Sequence, residues 1–221
     1  MEMEQKEQRS VRVWDVPTRV FHWALVACIC VAVITGLKGG GAMLWHGRAG
    51  LAVVGLVVFR IVWGVVGSTY ARFGQFMPTP AKILAYVRGQ WQGVGHNPLG
   101  ALSVFALLTV SLLQAVTGLF SNDEIAFEGY LAGMISSDLS LELTSIHRMG
   151  FLLLGALVGL HVLSIIFYAL VKKHFLVPPM ITGKTRVPAD SPAQDAQGGS
   201  VKALVVALLI AAAAVYVAAG G

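Results

Sequence analysis

The sequence predicts an all-α integral membrane protein: a four-helix transmembrane bundle, followed by a fifth C-terminal transmembrane helix. Three observations carry this. Of 221 residues, 56% are hydrophobic and only 12% charged, where a soluble domain carries roughly a quarter charged. The mean hydropathy is +0.73. The apolar residues gather in runs of roughly 18 to 25, the length that crosses a bilayer as a helix.

In chain order, Met1–Ser10 is polar and mixed in charge, with no short apolar core and cleavage site behind it. It reads as no signal peptide, so the first span acts as its own insertion signal. Val20–Leu37 is that span, with Pro17 and Thr18 suited to a helix start and Trp14 and Trp23 to an interfacial belt. Gly39-Gly-Gly41 connects it to a second span opened by Trp45-His46-Gly-Arg-Ala-Gly50 and running to Val66. Residues 67–98 read as a polar linker with an amphipathic piece, Ala81–Trp91. Leu99–Phe120 is the third span, and 121–146 a loop holding Asp123, Glu124, Glu128, Asp138 and Glu142 but no Lys or Arg. The fourth span runs from Ser145 to Val171. The division expected is a segment 1–19, a four-helix core 20–181, a flexible linker 182–200 rich in Pro, Gly, Ser and Gln, and the extra helix 201–221.

The net charge of +5 is no sign of a nucleic-acid partner, because the basic residues lie in loops, where they report orientation. Lys6, Arg9, Arg12 and Arg19 precede the first span, Arg72, Lys82 and Arg88 separate the second and third, and Lys172, Lys173, Lys184 and Arg186 follow the fourth. The positive-inside rule therefore puts the N-terminus in the cytoplasm and the acidic loop outside. Cys28 and Cys30 are two residues apart on different helix faces, so they read as small buried apolar residues that do not pair. The absence of Cys-x-x-Cys-His excludes covalent c-type haem.

The histidines sort by depth. His147 and His161 lie on the fourth span 14 residues apart, about 21 Å along the axis and within about 40° in azimuth. One helix thus shows two imidazoles on one face at two levels, and intramembrane histidines are costly enough to imply partners. His22, near the cytoplasmic end of the first span, matches His161 in depth; His46, entering the second from outside, matches His147. Two imidazoles on facing helices are what a bis-histidine haem b requires. Gly150, Gly155 and Gly159 leave room for a flat ring, or serve close helix packing. Arg60, 14 residues beyond His46, needs a counter-charge; a haem propionate fits, and snorkelling to the interface is the alternative. His96 and His174 read as interfacial residues, His96 having the better claim to a role at a quinone or haem edge.

Arg12-Val-Trp-Asp-x-Pro-Thr-Arg-x-x-His22-Trp, Phe59-Arg60-x-x-Trp63-Gly, Gly95-His-Asn-Pro-Leu-Gly100 and His147…His161 followed by Met180-Ile-Thr-Gly-Lys184 resemble the bacterial cytochrome b561 family. More particularly, they resemble the branch related to the b-type cytochrome subunits of nickel–iron hydrogenases. The resemblance covers residues 11–186. It implies a four-helix core in the bacterial inner membrane holding two non-covalent haems b, with His22, His46, His147 and His161 at the ligand positions. It also implies electron exchange with quinone and a redox partner. Two features depart from the family pattern: the fifth segment, and the lack of an acidic residue directly after His46.

The function expected is electron transfer across the membrane between a quinone pool and a periplasmic or membrane-bound redox protein. A membrane anchor and electron conduit of a hydrogenase- or dehydrogenase-type complex is the alternative. A metal or ion transporter fits poorly, because its ligands should converge near the midplane beside broken helices, whereas these split into two levels and no span contains proline.

Overall fold

The computed structural model describes residues 7–125 and 127–221. The expected N-terminal segment therefore lies partly outside the described residues, at 1–6 with Lys6, as does Ala126 of the acidic loop. In chain order the elements are β1 (Gln8–Arg12), α1 (Val16–Lys38), α2 (Met43–Val66), α3 (Phe73–Phe76), α4 (Pro80–Val87), α5 (Pro98–Leu119), α6 (Ser137–Leu170), α7 (Val177–Thr182), β2 (Lys184–Pro188) and α8 (Val201–Ala218). Among the described residues, α1, α2 with the turn before it, α5, α6 and α8 are long and apolar enough to cross a membrane. Their outward faces carry exposed residues such as Val20, Ile34, Leu160, Leu163 and Leu209, the surface a bilayer solvates.

Local chemistry sets the helix ends. Asp15 caps α1, its side chain accepting from Thr18 N at 2.7 Å, with proline in the first turn. Asn97 caps α5 in the same way through Gly100 N at 2.7 Å. The fourth span is longer than its hydropathy indicates. Ser136 caps α6 at Ser137, inside the stretch expected to be loop, and the helix runs for 34 residues. Its first turns are polar, and one face of them is buried: Ser140 Oγ donates to Phe120 O at 2.7 Å and Asn122 N donates to Thr144 Oγ1 at 2.9 Å. Spaced four apart, these two residues stitch one face of the helix to the end of α5.

Helix α2 is the hub, packing on α1, α5 and α8, while α6 packs on α5. The fifth helix is part of this bundle. It runs antiparallel to α2 and buries Ala207 and Ala211 against it. A Cβ on Gly55 of α2 would stand 2.7 Å from Val215 Cγ2. Small residues at the crossing let two backbones approach where apolar burial gives no drive.

The stretch 182–200, expected to be a flexible linker, is instead tied down at the N-terminal end of the bundle. β2 pairs antiparallel with β1, Gln8 opposite Pro188 and Arg12 opposite Lys184. Arg12 N donates to Asp195 Oδ1 at 2.7 Å, Tyr70 OH to Gln194 O at 2.7 Å and Thr69 N to Gln197 O at 2.8 Å. Gly183, at φ +82°, ends α7 and turns its carbonyl to Val13 N and Trp14 N, a left-handed turn that a Cβ would strain. The 67–97 region likewise is more than a polar linker, since Phe73 and Phe76 of α3 pack against Phe105 of α5.

Candidate functional site

The side chains that sequence reasoning singles out meet at two levels. At the outer level, the end where α1 passes into α2, His46 of α2 and His147 of α6 approach with ring centroids 5.9 Å apart and planes at 85°. Each ring is held from its Nδ1 side. His46 Nδ1 lies 2.8 Å from Ala32 O of α1. His147 Nδ1 lies 2.9 Å from Gln114 O of α5, with Thr117 Oγ1 at 3.2 Å. A carbonyl only accepts, so both Nδ1 atoms carry the proton and both Nε2 atoms keep a lone pair.

A cavity of about 440 Å³ opens between α1, α2, α5 and α6 at this level, lined by both histidines and by Ser111, Gln114, Arg148 and Phe151 among others. The separation suits a shared metal ion: two bonds of about 2 Å, with ~1 Å from nitrogen to ring centre on each side, put centroids about 6 Å apart. The donor set therefore fits haem iron taken from both sides. Phe127 of the acidic loop stands edge-on to His46 at 6.4 Å. Ser111 Oγ is buried without a hydrogen-bond partner.

The inner level is built differently. His22 of α1 and His161 of α6 are half-buried and lie within electrostatic range of each other. Nδ1 of His22 is buried and has no hydrogen-bond partner. Arg60 is 2% exposed, so it is not snorkelled to the interface. Its guanidinium carbon sits 4.6 Å over the Phe73 ring, and Nη1 is buried without a partner. The carboxylate acting on it is Asp15, whose Oδ2 already accepts from Trp63 Nε1 at 3.0 Å and Ser68 Oγ at 2.5 Å. A buried cation with a free N–H, close enough to act on the His96 imidazole, would suit a cofactor carboxylate.

His96 belongs to this level rather than to the interface. Trp14 lies 4.6 Å from its ring and Phe76 4.4 Å, and its Nδ1 is buried and unpartnered. Burial, then the charges of Arg60, His161 and His22, push its pKa down to about 3, so the ring is neutral at physiological pH. The loop that carries it is pinned to α6, because Asn97 Nδ2 donates to Tyr168 OH at 2.9 Å and Tyr168 OH bonds Tyr86 OH. His174, beyond α6, is exposed.

Sequence reasoning missed Thr117, Ser111, Phe73 and Phe76, and the roles of Asp15 and of Trp14, which is buried against His96 rather than set in an interfacial belt. Thr117 lies three residues beyond Gln114, on the helix face turned to His147, a signal readable once that face is known. Of the two expectations for the glycines, close helix packing is not seen at two of them. Gly155 and Gly159 have open space where a Cβ would lie, so they mediate no close packing, and Gly150 is covered by Gln114. Cys28 and Cys30 are free. Among the described residues no three His, Cys, Asp or Glu side chains converge as a metal site; the candidate ligands meet in twos.

The family model of the prokaryotic cytochrome b561 matches residues 13–183. The chain is 24% identical over 222 aligned residues to the probable Ni/Fe-hydrogenase 1 B-type cytochrome subunit of Escherichia coli (strain K12), covering 82% of this chain and 94% of that one. It is 24% identical to the probable Ni/Fe-hydrogenase B-type cytochrome subunit of Rhizobium leguminosarum bv. viciae, over 80% of this chain and 90% of that one. It is likewise 24% identical to that of Azotobacter vinelandii, over 85% and 93%. No solved structure matches the chain. Helical architecture, membrane spans and a family match over most of its length make this chain a member of the prokaryotic cytochrome b561 family.

Proposed function

We propose that this protein is a two-haem b-type cytochrome that carries electrons across the bacterial inner membrane, from a redox partner to quinone or the reverse. His46 and His147 hold the outer haem, and His22 and His161 the inner. The observation that carries the reading is the outer pair: two imidazoles 5.9 Å apart across a cavity, each with Nδ1 engaged and Nε2 free. Haem supplies one-electron iron chemistry; the protein supplies position, potential and insulation. Each Nδ1–H···O=C bond orients its ring and raises its basicity as a ligand. Arg60 neutralises a propionate at the inner level, where its free N–H is buried.

The curated relatives are named as cytochrome subunits of Ni/Fe hydrogenases. This favours work within a hydrogenase-type complex over independent enzymatic activity, with the partner docking outside and the N-terminus in the cytoplasm. Pyridine haemochrome assay against protein mass should give two extractable haems per chain. One haem per chain, or haem that survives acid–acetone extraction, would overturn the reading.

A further inference from the structure

We infer that Gly36 and Gly118 are positioning residues for the outer histidines. Each uncovers a helix carbonyl to an imidazole from the neighbouring helix and so fixes which ring nitrogen is free. The inference rests on the reading of His46 and His147 as haem ligands, and adds what sets their tautomer. In an α-helix the carbonyl of residue i faces the N–H of residue i+4. Side chains lean back towards the helix N-terminus, over the preceding turn, and so shield that carbonyl.

The carbonyls that His46 and His147 reach belong to Ala32 and Gln114. The residues four places on are Gly36 and Gly118. A Cβ on Gly36 would stand 2.9 Å from His46 Nδ1 and 3.1 Å from its Cε1. On Gly118 it would stand 3.0 Å from His147 Cε1 and 3.3 Å from its Nδ1. At Gly36 this is closer than a Cβ approaches, and at Gly118 the ring must give by a few tenths of an ångström, so a side chain at either position pushes the ring away from its carbonyl. The same device serves two histidines on different helices, each against a different neighbour.

Without the carbonyl, Nδ1 no longer favours the proton, and the ring becomes a less basic ligand. A less basic pair stabilises ferric iron less and raises the potential.

The test compares Gly36→Ala, Gly118→Ala and, as control, Gly41→Ala, which lies outside the cavity and whose added Cβ meets nothing within 4 Å. Nitrogen NMR of labelled histidines in protein prepared without haem reads the tautomers independently of haem retention. His46 should leave the pure Nδ1–H form in the Gly36 variant and His147 in the Gly118 variant, with neither moving in the control. In haem-loaded protein, redox titration should show the same one of two transitions raised in both glycine variants. The rise expected is about tenfold in the ferrous-to-ferric ratio, or ~59 mV for a one-electron couple. Unchanged tautomers overturn the inference. Changed tautomers with both transitions unmoved overturn the ligand reading of His46 and His147 instead.

Discussion

The outer and inner levels use the same residue type in opposite settings. Outside, both imidazoles have their Nδ1 protons satisfied by main-chain carbonyls and face a cavity of about 440 Å³. The outer cavity leaves Ser111 Oγ over, whereas the inner level leaves His22 Nδ1, His96 Nδ1 and Arg60 Nη1 buried and unpartnered, the last two against an aromatic wall. Buried polar atoms without partners each cost about 1–3 kcal/mol, so the inner level is the one that gains most from a bound anion. The outer level is pre-formed by the backbone; the inner level is completed by what it binds.

The largest effect that would break this comparison is loss of a centre. His46→Ala and His147→Ala should each remove one haem of two, and the same one, whereas His22→Ala and His161→Ala should remove the other. Haem content and redox titration of the four variants read this directly. If His22→Ala matches His46→Ala, the pairing by level is wrong.

Next is the clamp beneath the inner level. Asp15→Ala removes the α1 cap, worth about 1 kcal/mol. It also strands Trp63 Nε1 and Ser68 Oγ, at about 1–3 kcal/mol more. Thermal unfolding should shift down, and haem should leave the inner level before the outer; Asp15→Asn should keep most of the stability.

Arg60→Gln should lower the potential of the inner centre alone. At an effective dielectric of 20, a unit positive charge ~10 Å from any redox centre favours its reduced state by on the order of 1–2 kcal/mol. An equal shift at both centres would show that Arg60 acts at no particular level.

The smallest expected effect is a pH dependence confined to the inner level. His96 has its folded pKa pushed from 6.5 down to about 3, so the unfolded chain binds its proton first as pH falls. The stability this neutral ring contributes is fully present above pH 6.5 and is lost progressively towards pH 3. Between pH 7.5 and 5.5 the loss should be about 1.4 kcal/mol, and His96→Gln should flatten that part of the stability curve. A wild-type curve already flat there would refute the buried neutral ring.

What was legible in the sequence follows from how each signal is written. Spans are set by hydropathy, which is local, so all five helices and the spacing of His147 to His161 could be read directly. The start of α6 could not, because the Ser140 and Thr144 face of its polar first turns is buried by contacts to Phe120 and Asn122 that only folding supplies. The 182–200 stretch has a linker's composition, yet strand pairing with residues 8–12 decides its state. His96 looked interfacial because its position beside a span is local, while the aromatic rings that bury it come from β1's end and α3. Arg60 was recognised as costly from sequence, but only the structure separates burial from snorkelling.

The ribbon of β1 and β2 also has a consequence for synthesis. It joins residues 8–12 to residues 184–188, so it cannot form until four of the five membrane helices have been made. Gln194, Asp195 and Gln197, which fasten that end of the bundle to Arg12, Thr69 and Tyr70, arrive later still. Until those residues are made the N-terminal end of the bundle is therefore an unlatched door, with the inner histidines and Arg60 just behind it. A chain truncated before residue 184 would carry all six histidines and never shut it.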